Sequence, residues 1–263
     1  MTTSELPDRI GDVLVDLDDD HVATLTIDRP PNNHFDVELI GWIADGLNAL
    51  DRDPRCRAVV LQSEGKHFCA GASLGSSERS PGVRADRNLY DEAWRIFQAE
   101  LPIVAAVQGA AIGGGLGLAL AADFRVGAPE TRCSANFARL GFHHGFALTV
   151  TLPAAIGNQR ADELLLTGAR IDGAEAHRIG LLDRLVPLGE VRAAAHGFAA
   201  EIAGSAPLAV RRIRATMRAD LAERARLAMV HERVEQDELT RTADFAEGVR
   251  ATAERRTPRF EGR

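Results

Sequence analysis

Ile103-Val104-Ala105-Ala106-Val107, followed after one residue by Gly109-Ala110-Ala111-Ile112-Gly113-Gly114-Gly115-Leu116-Gly117, is the stretch that decides the fold class. The first segment is a short apolar run that predicts a buried strand, and the glycines after it open a helix over residues 116–122. Residues 124–126 predict another strand. Strands that alternate with helices in this way are typical of an α/β protein.

The segments on either side continue the same alternation. Residues 12–16 and 21–28 alternate apolar and polar side chains around an aspartate turn, which predicts a β-hairpin. Asp36 is the expected N-cap of a helix that runs to about residue 50. A further strand is expected at 58–61 and an amphipathic helix at 85–99.

The last part of the chain has a different pattern. After residue 149 it is mostly helical, with one strand expected near residues 183–186. An Arg/Glu-rich stretch from Pro207 to Glu254 predicts two or three helices. We therefore expect a core over residues 1–204 and a C-terminal helical region over residues 205–263.

Composition excludes several classes of protein. The chain has 263 residues, of which 45% are hydrophobic and 26% charged, which rules out a disordered chain. The longest run of apolar residues and glycine, 109–122, is too short to span a bilayer. Residues 1–11 contain no apolar signal segment, so a cytoplasmic protein is expected. Three cysteines without a CxxC pair support neither a disulfide framework nor a metal site. A net charge of −7 argues against binding to nucleic acid.

Two glycine-bearing segments, residues 67–74 and 109–117, each follow a predicted strand. Small residues let backbone N–H groups approach a ligand closely, and a helix directs its free N–H groups toward its first turn. Two such N–H groups would form an oxyanion hole for an acyl carbonyl. The alternative is a pair of ordinary strand-to-helix turns. Neither segment is a Walker loop or a GxGxxG fingerprint.

The motifs of this chain are similar to those of the crotonase (enoyl-CoA hydratase/isomerase) superfamily from about residue 12 to residue 260. Those that carry the resemblance are Asp28-Arg29-Pro30 with Asn33, Phe68-Cys69-Ala70-Gly71-Ala72, residues 105–109 with Gly113-Gly114-Gly115, Ala122-Asp123, residues 166–176, and Glu247-Gly248 with Phe260. The resemblance implies a spiral of ββα units, a C-terminal helical trimerisation region, and a homotrimer or a dimer of trimers.

The resemblance also implies an acyl-CoA thioester as substrate, with coenzyme A as part of that substrate and no separate cofactor. By motif position, the N–H groups of Ala72 and Gly114 would hold the thioester carbonyl. The residues that would contact the substrate or its coenzyme A portion are Arg29, Asn33, Ala70, Gly71, Ser73, Leu74, Gly113, Gly117, Phe137, Leu140 and Phe260.

The chain departs from the family pattern at the two positions where hydratases carry glutamates, which here are Gly117 and Phe137. Neither residue can orient water or move a proton, so we expect weak activity as a hydratase. Installing both carboxylates, Gly117→Glu with Phe137→Glu, is expected to raise hydration. The family's Pro-Gly-Ala-Gly-Gly loop is also replaced, by residues 144–148.

Other side chains are candidates for the missing base. His34 lies in the segment that the family places beside the acyl entrance, and His143 and His144 lie in the loop that borders the acyl pocket. A neutral imidazole can accept a proton near neutral pH. Two functions stay open: an enzyme that forms a thioester enolate with a histidine base, and a catalytically silent acyl-CoA carrier or scaffold.

Overall fold

The computed structural model describes residues 6–72 and 88–263. Within these ranges the strands form one sheet of seven and one of three. The strands are β1 (Arg9–Ile10), β2 (Val13–Leu17), β3 (Val22–Ile27), β4 (Ala58–Ser63), β5 (Ile103–Val107), β6 (Ala110–Ile112), β7 (Phe124–Gly127), β8 (Arg132–Ser134), β9 (Arg170–Asp172) and β10 (Arg184–Leu185).

The larger sheet confirms the strands predicted from apolar runs. Its order is β1-β2-β3-β4-β5-β7-β10. Strands β2 and β3 form the predicted antiparallel hairpin, with Val13 opposite Ile27, and the strands from β3 to β10 run parallel. All five residues of β5 are buried, as expected for a parallel strand with both faces covered.

The smaller sheet was not predicted. Strand β6 pairs in parallel with β8, and β8 pairs antiparallel with β9. Each of these strands has three residues, which is too short for an alternating pattern to stand out in the sequence. The sheet matters for the site because β6 joins β5 to the glycine run.

The helices of the described ranges are α1 (Val37–Asp51), α2 (Leu89–Phe97), α3 (Gly114–Ala121), α4 (Leu148–Ile156), α5 (Asn158–Thr167), α6 (Gly173–Arg178), α7 (Val191–Ala203), α8 (Pro207–Met217), α9 (Leu221–Leu239) and α10 (Ala243–Ala253). Asp36 caps α1 as predicted, because its side chain accepts a hydrogen bond from the Leu39 N–H at 2.9 Å. The structure begins α2 at residue 89, and the predicted residues 85–87 lie outside the described ranges. Among these helices, none has the length together with the apolar character that a membrane span requires.

The C-terminal region contains three helices, as predicted, and it packs closely on the core. Asp123, directly before β7, accepts the Ile103 N–H at 2.8 Å. It pairs with Arg214 of α8 at 2.9 Å and with Arg218, the residue that follows α8, at 2.7 Å. Helix α9 packs on α2 and α4. The domain division at residue 205 stays a prediction.

Candidate active site

A cavity of about 400 Å³ lies where the two glycine segments meet. The segments run side by side, because the Cys69 N–H donates to the Ala110 carbonyl at 2.9 Å and the Ile112 N–H donates to the Cys69 carbonyl at 3.0 Å. This pairing brings Ala72, at the end of one segment, and Gly114, at the start of α3, to the lining of the same cavity.

Hydrogen bonds within the described residues do not use the N–H groups of Ala72 and Gly114. Gly114 is the first residue of α3, where a backbone N–H has no acceptor inside its own helix. The preceding Gly113 has φ 57° and ψ −123°, a conformation that glycine adopts readily and that other residues rarely reach. At Gly114 a side chain would collide with the Phe35 ring. Glycine is therefore required at both positions.

The cavity walls are largely aromatic. Phe35 and Phe146 pack edge to face with ring centroids 5.9 Å apart, and the rings of Phe137 and Phe142 are 5.4 Å apart. Leu89, Ile112 and Leu140 also contribute apolar side chains to this lining. A wall of this kind favours an apolar group and excludes water from it.

Of the residues that the structure describes, few with polar side chains line the cavity: His34, Tyr90, Asn136, Gln236 and Thr252. The Tyr90 hydroxyl donates to Gln236 Oε1 at 2.7 Å, and burial raises the pKa of this phenol. His34 Nδ1 lies 3.3 Å from the Gly71 carbonyl. Since a carbonyl oxygen only accepts, the hydrogen bond assigns the proton of neutral His34 to Nδ1 and leaves Nε2 as a free base.

The structure brings together eight of the residues that the sequence analysis singled out. They line the cavity and are His34, Ala70, Gly71, Ala72, Gly113, Gly114, Phe137 and Leu140. Ser73 and Leu74 lie outside the described residues. Tyr90 and Gln236 were missed, because no local pattern indicates that α2 and α9 meet at this cavity.

Arg29 and Asn33 do not line the cavity. The Arg29 guanidinium pairs with Asp12 at 2.5 Å and with Asp36 at 2.7 Å. The buried Asn33 amide donates to the Glu64 and His67 carbonyls at 2.7 and 2.6 Å. Both side chains hold the loop before α1. Their polar atoms are engaged within the chain, and their contact with the substrate or its coenzyme A portion stays a prediction.

His143 and His144 also lie outside the cavity lining. His143 Nδ1 bonds the His144 carbonyl at 2.7 Å, and His144 Nε2 lies 2.8 Å from Thr149 Oγ1. Burial and the neighbouring imidazoles lower the pKa of His144 to about 4. Both rings make hydrogen bonds within residues 143–149 and neither lines the cavity, so the assignment of one of them as the base stays a prediction.

Gly117 does not line the cavity, but it lies next to Phe146, which does. A Cβ on Gly117 would lie 2.5 Å from Cβ of Phe146. Phe146 is buried and has φ 61°, in the left-handed region that favours glycine. Gly117 and the replaced loop at residues 144–148 are thus coupled, since Phe146 occupies the space that a side chain at 117 would need. This contact argues against the gain in hydration expected for Gly117→Glu with Phe137→Glu.

Phe260 is 42% exposed and does not line the cavity of its own chain. Its expected contact with the substrate or its coenzyme A portion stays a prediction. Among residues 6–72 and 88–263, one group has the spacing to hold a metal ion, formed by Asp18, Asp20 and His196. It lies at the turn between β2 and β3, where Asp18 bonds His196 Nε2 at 2.5 Å, and it is separate from the cavity lining.

Fold and cavity together define the class: an α/β protein in which the backbones of two glycine-bearing segments meet at a cavity with aromatic walls. Residues 18–263 match the family model described as enoyl-CoA hydratase/isomerase. A putative enoyl-CoA hydratase of Thermus thermophilus is 34% identical over 258 residues, which cover 94% of this chain and 100% of that protein. This chain belongs to the crotonase (enoyl-CoA hydratase/isomerase) superfamily, an enzyme family.

Two further relatives support this family assignment. The cyclohexa-1,5-dienecarbonyl-CoA hydratase of Thauera aromatica is 31% identical and covers 93% of this chain and 95% of its own. The crystal structure of an enoyl-CoA hydratase/isomerase from Pseudoalteromonas atlantica T6c has a TM-score of 0.87 and 31% identity, over 95% of this chain and 100% of that one.

Proposed function

We propose that the protein binds an acyl-CoA thioester in the aromatic cavity, with the thioester oxygen accepting hydrogen bonds from the N–H groups of Ala72 and Gly114. The observation that carries this proposal is that both N–H groups have no acceptor among the described residues and belong to residues lining one cavity. Two fixed backbone donors stabilise negative charge on the oxygen without reorganisation.

The chemistry that follows is formation of an enolate. As negative charge on the thioester oxygen is stabilised, the Cα–H bond becomes more acidic. In the proposed step His34 Nε2 takes the Cα proton, and the electron pair of that bond moves to form the enolate. Return of a proton to carbon completes an exchange, or an isomerisation if it is delivered to another carbon. His34 is the base because it is the imidazole that lines the cavity.

Hydration of an enoyl-CoA is not the activity that we propose. Within the described part of the chain, the titratable side chains of the cavity lining are His34 and Tyr90, and neither is a carboxylate. A positioned acid or base contributes roughly 10²–10⁴-fold to rate, so a site without the hydratase pair is expected to hydrate slowly.

Deuterium exchange tests this proposal without knowledge of the natural acyl group. Wild-type protein is incubated with butyryl-CoA or octanoyl-CoA in D₂O, and deuterium at Cα is measured by mass spectrometry. His34→Ala should slow exchange by about 10²–10⁴-fold. Gly114→Ala should slow it by about 10²–10³-fold, because the new methyl group presses on Phe35 and displaces an oxyanion donor. His177→Ala, on an exposed part of α6, is the matched control and should change nothing.

A second candidate function is binding of acyl-CoA without turnover. The absence of carboxylates from the described lining is the observation that favours it. The deuterium-exchange experiment, combined with calorimetry of acyl-CoA binding, separates the two functions. Calorimetric binding of acyl-CoA with no exchange in wild-type protein would indicate a carrier or scaffold. Failure of the wild-type protein to bind any acyl-CoA would refute both.

We also propose that the chain assembles as a homotrimer or a dimer of trimers through its C-terminal helices. The support is a set of exposed apolar side chains on α8 and α9: Leu208, Ile213, Met217, Leu227, Val230 and Val234. Exposed apolar residues grouped on two adjacent helices are typical of a protein interface. Light scattering that gives the mass of a single chain, 28.3 kDa, would contradict this assembly.

A further inference from the structure

The loop before α4 has an unusual backbone. Phe146 and Ala147 have φ of 61° and 58°, so two consecutive residues other than glycine adopt the left-handed region. A side chain in that region clashes with its own backbone, so the conformation persists only where surrounding contacts hold it. The loop matters for the site because Phe146 forms part of the cavity wall and lies against Gly114 and Gly117.

Glu232, on α9, provides those contacts. Its carboxylate is fully buried, and its Oε2 accepts the Ala147 N–H at 2.9 Å. Its Oε1 accepts the Thr149 N–H at 3.1 Å and the Thr149 hydroxyl at 2.6 Å. The single hydroxyl proton of Thr149 is used in the hydrogen bond to the carboxylate. In the contact between His144 Nε2 and Thr149 Oγ1, the imidazole N–H is therefore the donor. Three donors therefore converge on one buried carboxylate.

These contacts replace a helix cap. Helix α4 begins at Leu148, and Ala147, in the N-cap position, has no side chain that can accept a hydrogen bond. Glu232 takes that role from a distant part of the chain, and its negative charge lies at the positive end of α4. Because Ala147 directly follows Phe146, the same hydrogen bonds fix the direction of the Phe146 side chain.

We propose that Glu232 is a positioning residue that holds Phe146 in the cavity wall and thereby sets the shape of the acyl pocket. That Glu232 fixes the loop before α4 follows from its hydrogen bonds to Ala147 and Thr149. The consequence for acyl groups rests on the proposed function, so the two parts are tested by separate measurements.

Amide hydrogen exchange in the free protein tests the hold on the loop. In Glu232→Gln the side chain keeps one acceptor oxygen and turns an NH₂ group toward a backbone donor. Exchange at the amides of residues 147 and 149 should become faster by on the order of tenfold. Glu238→Gln, with the same charge change on an exposed part of α9, is the matched control. If Glu232→Gln fails to fold, Thr149→Val removes one donor at an exposed residue and should still accelerate exchange at residue 147.

Binding of butyryl-CoA and decanoyl-CoA tests the effect on the pocket. Phe146→Ala should change the ratio of the two dissociation constants by about tenfold, and Glu232→Gln should change it in the same direction. The double variant should match Phe146→Ala alone, because both changes remove the same wall. Unchanged exchange and an unchanged ratio in folded Glu232→Gln would overturn the inference, as would full additivity in the double variant. If wild-type protein binds neither ligand while exchange rises in Glu232→Gln, the proposed function fails and the role of Glu232 in holding the loop stands.

Discussion

Replacing Phe146 by glycine should leave the protein more stable than replacing it by alanine. Truncation of a buried phenylalanine costs about 3–5 kcal/mol through lost packing, and this cost is shared by both variants. The variants differ in the backbone, because residue 146 has φ 61°. An L side chain in this region costs roughly 1–2 kcal/mol that glycine does not incur. Glycine is also more flexible when unfolded, which reduces its advantage to about 1 kcal/mol.

Phe137 is a matched control with the opposite expectation. It also lines the cavity and is buried, but its φ of −59° and ψ of −46° are helical. In such a conformation alanine is favoured over glycine by about 0.5–1 kcal/mol. Phe137→Ala should therefore be more stable than Phe137→Gly, whereas Phe146→Ala should be less stable than Phe146→Gly.

Urea denaturation followed by circular dichroism measures all four variants at one protein concentration. With a slope of about 2–3 kcal/mol per molar urea, a difference of 1 kcal/mol moves the midpoint by about 0.3–0.5 M. The reasoning would be refuted if Phe146→Ala unfolded at the same urea concentration as Phe146→Gly or at a higher one. If the alanine variant were more stable than the glycine variant at both residues, packing and not backbone conformation would decide the difference in stability between alanine and glycine.

Three other predictions concern stability, pH and hydration. Asp123→Ala should lower the free energy of unfolding by about 3–5 kcal/mol in urea titrations, because it leaves two partly buried guanidinium groups without their carboxylate. The lowered pKa of His144, about 4 against 6.5, means that the unfolded chain binds a proton more readily between these pH values. Stability should therefore fall by up to about 3 kcal/mol as the pH drops from 6.5 to 4, and His144→Gln should flatten that dependence in thermal melts. Gly117→Glu with Phe137→Glu should leave the slow hydration of crotonyl-CoA unchanged, measured by loss of the enoyl absorbance, and adding Phe146→Gly should raise it.

The main sheet and the glycine turns could be predicted from the sequence because each depends on neighbouring residues. The family could be predicted because its motifs occur in order along the chain. The apolar run at residues 103–107 and the glycines after it specify a strand, a turn and a helix with local chemistry alone. The Asp36 cap was equally local. The smaller sheet was not found, since strands of three residues carry too little pattern.

Only the tertiary structure decided which predicted residues form the site. The adjacent histidines 143 and 144 could have faced the cavity or the protein. Neither lines the cavity, and His144 lies between Thr149 and Glu232 of α9, almost ninety residues further along the chain. Arg29 and Asn33 were likewise engaged by partners distant in sequence.

The departures from the family pattern also could not be interpreted fully from the sequence alone. The sequence determined that Gly117 has no carboxylate, but the structure decided that Phe146 occupies the adjacent space and that Glu232 holds it there. Packing of this kind depends on side chains from separate elements meeting at one place. A sequence pattern does not contain that distance. The glycine turns and the wall residues Phe137 and Leu140 were therefore predictable, and the contacts of Phe146 and Glu232 were not.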